Sequence, residues 1–222
     1  MTNIEKLKLL KLLYQYRSIG FEYFNDYQPA LHVNKDEDFS GKSLKEIEKQ
    51  IRKCHLCNLA KTRKNIVVGE GNPNADLMFI GEAPGANEDQ TGRPFVGRAG
   101  QLLTKIIENV LNLKREDVYI ANIIKCRPPN NRVPTLEEVA ACKPYLMEQI
   151  KFINPKLIVA LGSTSYHHLS GDYDMSISRI RGEILNFGSA KLIPTYHPSF
   201  LLRNPSAKKD VYADMLKVKN LL

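Results

Sequence analysis

The sequence predicts an α/β fold in three layers, with helices on both faces of a central four-stranded parallel sheet and an N-terminal helical extension ahead of it. Four short runs, "ADLMFIG", "DVYIANIIKC", "KLIVALG" and "KLIPTYH", are apolar almost throughout rather than alternating, as strands buried on both faces are. Segments of helical periodicity lie between them, and such alternation brings successive strands parallel. Length supplies the third observation: 222 residues suffice for one such domain with a complete core and an appendage.

In chain order, residues 1–42 form the extension and a linker. Leu9, Leu12, Leu13 and Tyr16 recur at helical spacing, punctuated by Lys6, Lys8 and Lys11. A basic amphipathic helix of this kind suits a membrane surface or a partner, but packing on its own domain is the commoner fate. "HVNKDEDFSGKS" reads as the linker. The main domain, 43–222, opens with "SLKE", a capping box on Ser43 and Glu46 that starts a helix running into Cys54. Leu102, Leu103, Ile106, Ile107, Val110 and Leu111 mark one face of the helix after the first strand. "TLEE" is a second capping box, starting a helix that carries Cys142 and stops near Asn154–Pro155. A shorter helix over 163–169 follows Gly162.

The chain carries 32 basic and 24 acidic residues, a net charge of +8, which favours a polyanionic partner without naming one. No stretch approaches the length of a membrane span, and no secretory cleavage pattern opens the chain, so a cytoplasmic protein without membrane contact is expected.

In a parallel sheet the ligand sits beyond the carboxyl ends of the strands. The first strand leaves into "GEAPGANEDQTGRPFVG", the second ends on Asn122 and runs into "KCRPPNNRVP", the third ends at "LGSTS" and the fourth at "YHPSFLLR". Glu82, Glu88, Phe95, Asn122 and His197 are thereby collected at one edge. A glycine-rich loop after a strand often cradles phosphate, but this one carries Glu82, Glu88 and Asp89 and no lysine. An aromatic ring to stack, an amide to read an edge and an imidazole to donate suit a flat heterocycle better.

Cys54 and Cys57 form "CHLC", while Cys126 and Cys142 stand fifteen residues apart downstream. In a cytoplasmic chain these are not expected to form structural disulfides. Four thiolates suit zinc or an iron–sulfur cluster, and zinc ribbons prefer two CxxC knuckles. Their places outside the strand-end pocket fit a structural role that pins a loop.

"GEAPGANEDQTGRPFVGRAGQLL", "NIIKCRPPNNRVP", "YHPSFLLR" and the four cysteines together resemble the family 4 uracil-DNA glycosylases, the iron–sulfur branch of that superfamily, over about residues 54–205. The resemblance implies a 4Fe–4S cluster on Cys54, Cys57, Cys126 and Cys142. It also implies a uracil pocket of the Gly81–Glu82–Ala83 backbone, Phe95, Asn122 and His197. The activity implied is hydrolysis of the N-glycosidic bond of deoxyuridine in DNA, with His197 donating to uracil O2. Related branches place Asp where this chain has Ala83, so Glu88 is the first candidate to orient water, followed by Asp89 and Glu82. A second job for Glu88 is steric exclusion of thymine's methyl group.

A base inside a duplex must be flipped out before it is cut. Leu201 and Leu202 are candidate wedges, Arg203 a phosphate contact, and Arg127, Arg132, Lys208 and Lys209 candidates to track the backbone. Uracil-containing DNA, single- or double-stranded, is the expected partner of a nucleoid-associated monomer. A sliding-clamp contact through the N-terminal helix is the weakest expectation, because "QYRSIGFEYF" does not keep the usual glutamine-to-aromatic spacing. Two other readings are a binding module that recognises a uracil-like base without cutting it, and a redox protein using CxxC.

Overall fold

The structure, a computed structural model, describes residues 43–222. The predicted extension over 1–42, with its clamp contact, lies outside the described residues. Six strands form one sheet: β1 (Glu70–Gly71), β2 (Leu77–Gly81), β3 (Tyr119–Asn122), β4 (Leu157–Leu161), β5 (Leu185–Phe187) and β6 (Ala190–Thr195), in the order β1-β3-β2-β4-β6-β5. The four predicted strands are the parallel core, β3-β2-β4-β6. The expected four-stranded sheet is widened by antiparallel edges, β1 on β3 and β5 on β6. These edges have two and three residues, too short to stand out as apolar runs.

Alternate residues of each core strand serve opposite faces. Met78, Ile80, Tyr119, Ala121, Ile158 and Ala160 pack under α1 (Leu44–Arg52), α4 (Leu136–Ile153) and α5 (Ser163–Ser170). Leu77, Phe79, Ile120, Leu157, Val159 and Ile193 pack under α3 (Arg98–Ile106), α7 (Pro198–Arg203) and α8 (Lys208–Leu221). Burial on both faces explains why the runs carry no polar alternation. Two small helices, α2 (Ala86–Thr91) and α6 (Ile177–Ile180), sit in the connections.

The Thr135 box forms in both directions, with its hydroxyl accepting from the Glu138 N–H at 3.2 Å, whereas the Ser43 hydroxyl donates to the Glu46 carboxylate at 2.9 Å. Glu46 accepts from the Ser43 N–H at 2.7 Å, and Glu138 from the Thr135 N–H at 2.9 Å. Helix α1 ends at Arg52, two residues short of the expected run into Cys54. Helix α4 stops at Ile153, where Asn154 turns into the left-handed conformation. Helix α3 continues as a π turn over Ile107–Leu111, which completes the predicted apolar face.

The chain moves from β2 to β3 on one side, then crosses back past β2 to β4 and on to β6. That reversal opens a crevice at the carboxyl ends of β2 and β4, where a ligand has room beside the strand ends.

Candidate functional site

A cavity of about 560 Å³ occupies this crevice. Glu82, Ala83 and Glu88 line it from the β2 exit, Asn122 from β3, Gly162 and Ser163 from β4, and Tyr196, His197 and Arg203 from β6. Phe95 completes it, with Asn131 from the turn after β3 and Ile177 from the start of α6.

Gly81 and Asn122 are paired in register at the ends of their strands. A Cβ on Gly81 would stand 2.5 Å from both Asn122 Oδ1 and the Phe95 ring, so glycine here lets amide and ring meet over bare backbone. Phe95 itself has φ of 50°, a conformation a bulky residue seldom takes. Gly100 admits that turn, since any side chain there would collide with the Phe95 carbonyl. Arg115 fastens it by donating to the Pro94 carbonyl at 2.5 Å, while Glu70 pairs with both Arg93 and Arg115.

Asn122 is 2% exposed, and among the described residues its Oδ1 has no hydrogen-bond partner. A buried acceptor left unpaired is costly, and this one stands in the cavity wall, where a bound molecule can pair with it. The Phe95 and His197 ring centroids are 5.7 Å apart.

His197 caps α7: the Ser199 N–H donates to Nδ1 at 3.1 Å, and Ser199 Oγ lies 2.7 Å from the same atom. With Nδ1 accepting, the proton of the neutral ring sits on Nε2. Burial, and then the Arg203 charge, push the imidazole down to about 4, against a smaller opposing pull from Glu88. His197 is thus a neutral donor at pH 7.

Glu88 is occupied differently from the expectation. One carboxylate oxygen accepts from the Val96 and Gly97 N–H groups at 2.9 and 2.8 Å, and the other from Gly85 at 3.1 Å. It ties the start of α2 to the start of α3 and so shapes the glycine loop.

Two residues assigned to the site from sequence belong elsewhere. Asp89 is 3% exposed and accepts from the Lys64 and Asn65 N–H groups at 2.9 and 3.3 Å, away from the cavity. One step along α2 turns it by about 100° from Glu88 and out of the cavity. Leu201 is buried in the core between α7 and the sheet, so it cannot act as a wedge. Leu202 is exposed instead. Arg203 borders the cavity, whereas Arg127 donates to Asn131 Oδ1 at 2.8 Å and Arg132 is held by Glu138 at 2.6 Å. Lys208 and Lys209 are exposed at the start of α8.

Cys54, Cys57, Cys126 and Cys142 line a second, narrow cavity with Ile51, Leu59, Ile124 and Tyr145. All four are free thiols. The Arg63 guanidinium donates to Cys126 Sγ at 3.4 Å and to the Cys54 carbonyl at 2.7 Å, and the Lys125 N–H donates to Cys142 Sγ at 3.2 Å. Burial raises Cys57 and Cys126, and pushes Cys142 up to about 12. Among the described residues no three His, Cys, Asp or Glu side chains are gathered around one ion-sized point.

Sequence reasoning passed over Ser199, Arg115 and Lys125. Ser199 had a signal: proline directly after histidine makes the histidine an N-cap. Arg115 acts on Pro94, 21 residues back, a distance no local pattern records, and the burial of Lys125 is set by the tertiary packing around it.

Residues 68–217 match the Uracil DNA glycosylase superfamily. The chain is 49% identical over 179 residues to a type-4 uracil-DNA glycosylase of Thermotoga maritima, covering 79% of this chain and 93% of that relative. It is 51% identical over 183 residues to the type-4 uracil-DNA glycosylase of Saccharolobus solfataricus, covering 79% and 85%. For the Sulfurisphaera tokodaii type-4 uracil-DNA glycosylase the figures are 46% over 186 residues, 81% and 84%.

Proposed function

The chain belongs to the uracil DNA glycosylase superfamily, and we propose how its cavity reads and releases the base. It is an enzyme of DNA repair that hydrolyses the N-glycosidic bond of uracil in DNA.

One observation carries the reading: the partnerless Oδ1 of buried Asn122. Uracil presents an N3–H beside a carbonyl. The Asn122 amide meets that edge with Oδ1 accepting from N3–H and Nδ2 donating to O4. Cytosine reverses both groups and leaves the buried amide facing mismatched partners, a strong basis for rejection. Phe95 stacks on the ring.

When the C1′–N1 bond breaks, its electron pair leaves with uracil and spreads onto O2. His197, neutral with its proton on Nε2, donates to O2 as that charge grows, and a donor already in place favours the anion. Water adds to C1′ and loses a proton, leaving an abasic site and free uracil. Glu88 holds Gly85, Val96 and Gly97 with one remaining lone-pair direction. We therefore assign it to loop shape and exclusion of a 5-methyl group, and give Glu82, at the cavity wall without such ties, the water.

The four cysteines would hold a 4Fe–4S cluster: they are unpaired thiols around one apolar cavity, with N–H groups aimed at two sulfurs. When bound, such a group supplies iron–thiolate bonds that tie the 54–57 loop, the β3 exit and α4 together. Leu202 wedges the duplex, Arg203, Lys208 and Lys209 meet phosphate, and the protein acts as a monomer near the nucleoid.

The test is incubation of purified protein with a uracil-containing oligonucleotide, followed by alkali to cut abasic sites. Strand breaks are expected with wild type and are strongly reduced with N122A. Breaks undiminished in N122A would remove Asn122 from the reading.

A further inference from the structure

Lys125 is 1% exposed, so its ammonium is cut off from water. Among the described residues no Asp or Glu forms an ion pair with it. A buried cation needs either a nearby anion or the loss of its charge. Among the described residues the one hydrogen bond from Nζ goes to the Asn122 carbonyl, at 3.0 Å. The same residue's backbone N–H donates to Cys142 Sγ at 3.2 Å, its chain neighbour is Cys126, and its carbonyl accepts from the Val67 N–H at 2.8 Å. One residue therefore touches the base-reading strand end and abuts two of the four cysteines.

We propose that Lys125 is a positioning residue, the buried counter-cation of an anionic thiolate centre, which it links to Asn122 by holding that residue's carbonyl. The inference rests on the readings of Asn122 and of the four cysteines given above. Four thiolates outweigh the positive charge of an iron–sulfide core, so the loaded centre is anionic and accounts for a lysine otherwise unmatched. Asn122 needs such a hold. Among the described residues its Oδ1 has no partner, and its neighbour Gly81 has no side chain, so the amide is aimed through its own backbone. Lys125 grips that backbone at the last residue of β3.

The experiment is a double-mutant cycle on iron-loaded protein, with kcat and KM measured on single-stranded uracil DNA for wild type, K125M, N122A and the double variant. K125M is expected to lower kcat/KM about tenfold in the wild-type background and less than about twofold in N122A, because contacting residues are not additive. K125R, which keeps the cation, is expected to recover most of the loss. The reduction potential of the centre should fall in K125M, since an added electron loses a nearby positive charge. Equal costs in both backgrounds, or an unshifted potential, overturn the proposal. Should K125M not accumulate with iron, K125Q, which keeps a donor and drops the charge, goes through the same cycle under the same two criteria. Wild-type protein that neither binds iron nor releases uracil would sink the underlying readings instead.

Discussion

The two cavities stand at neighbouring strand ends yet are built on opposite terms. The cysteine cavity is narrow and apolar, and burial pushes Cys57, Cys126 and Cys142 toward the neutral form. The base cavity is wide and half polar, with an unpaired acceptor on one wall and a neutral imidazole on the other. A space of the first kind suits a permanent occupant that completes the fold. One of the second kind is already shaped and keeps polar groups waiting for a visitor. Stability should therefore reside in the first and discrimination in the second.

Replacing Cys142 with Ser tests that division most severely. We expect loss of bound iron and, because metal binding is linked to folding, destabilisation on the order of several kcal/mol in a denaturant melt. A variant that keeps both iron and midpoint would break the comparison. N122A is the mirror case, with kcat/KM on uracil DNA expected to drop roughly 100- to 1,000-fold while iron content stays at the wild-type level. Iron loss in N122A would merge the two regions into one.

E88Q probes the join between shape and chemistry. Disrupting the three-amide clamp should cost about 1–3 kcal/mol of stability, and cleavage should fall about tenfold. Cleavage that collapses while the melt is unchanged would return the water to Glu88.

The pH profile separates the regions further. His197 is held below its ordinary value, to about 4, so the fold favours the neutral ring. Its contribution to stability is full above about pH 6.5 and is lost as pH falls toward 4. The acid limb of cleavage set by this group should accordingly lie near pH 4, and a limb at 6.5 in the kcat profile would reject the neutral donor. The smallest effect is expected for L202A, about fivefold on duplex substrate and none on single strands, because only a duplex must be opened.

Much of this was legible in the chain. Runs apolar on both faces marked the four parallel strands, and the switch-point rule then placed Asn122, Phe95 and His197 together without any contact being known. Asp89 and Leu201 were misplaced for one shared reason. Each is adjacent in sequence to a residue of the site, and one step along a helix turns a side chain by about 100°. Proximity in sequence therefore says little about which side of a short helix faces the cavity. The edge strands escaped notice because two or three residues carry no period.

By itself the sequence determined the order of elements, the position of each strand end and the chemical types gathered there, since hydrophobic periodicity and capping act within a few residues. The tertiary structure alone decided how those groups are used. It left Asn122 Oδ1 unpaired, filled Glu88 with backbone amides and set Lys125 between the thiols and the base-reading strand. Those outcomes depend on burial and on how loops and strand ends meet in space, and a hydrogen bond from residue 125 to residue 122 gains its meaning only from the cysteine at 142.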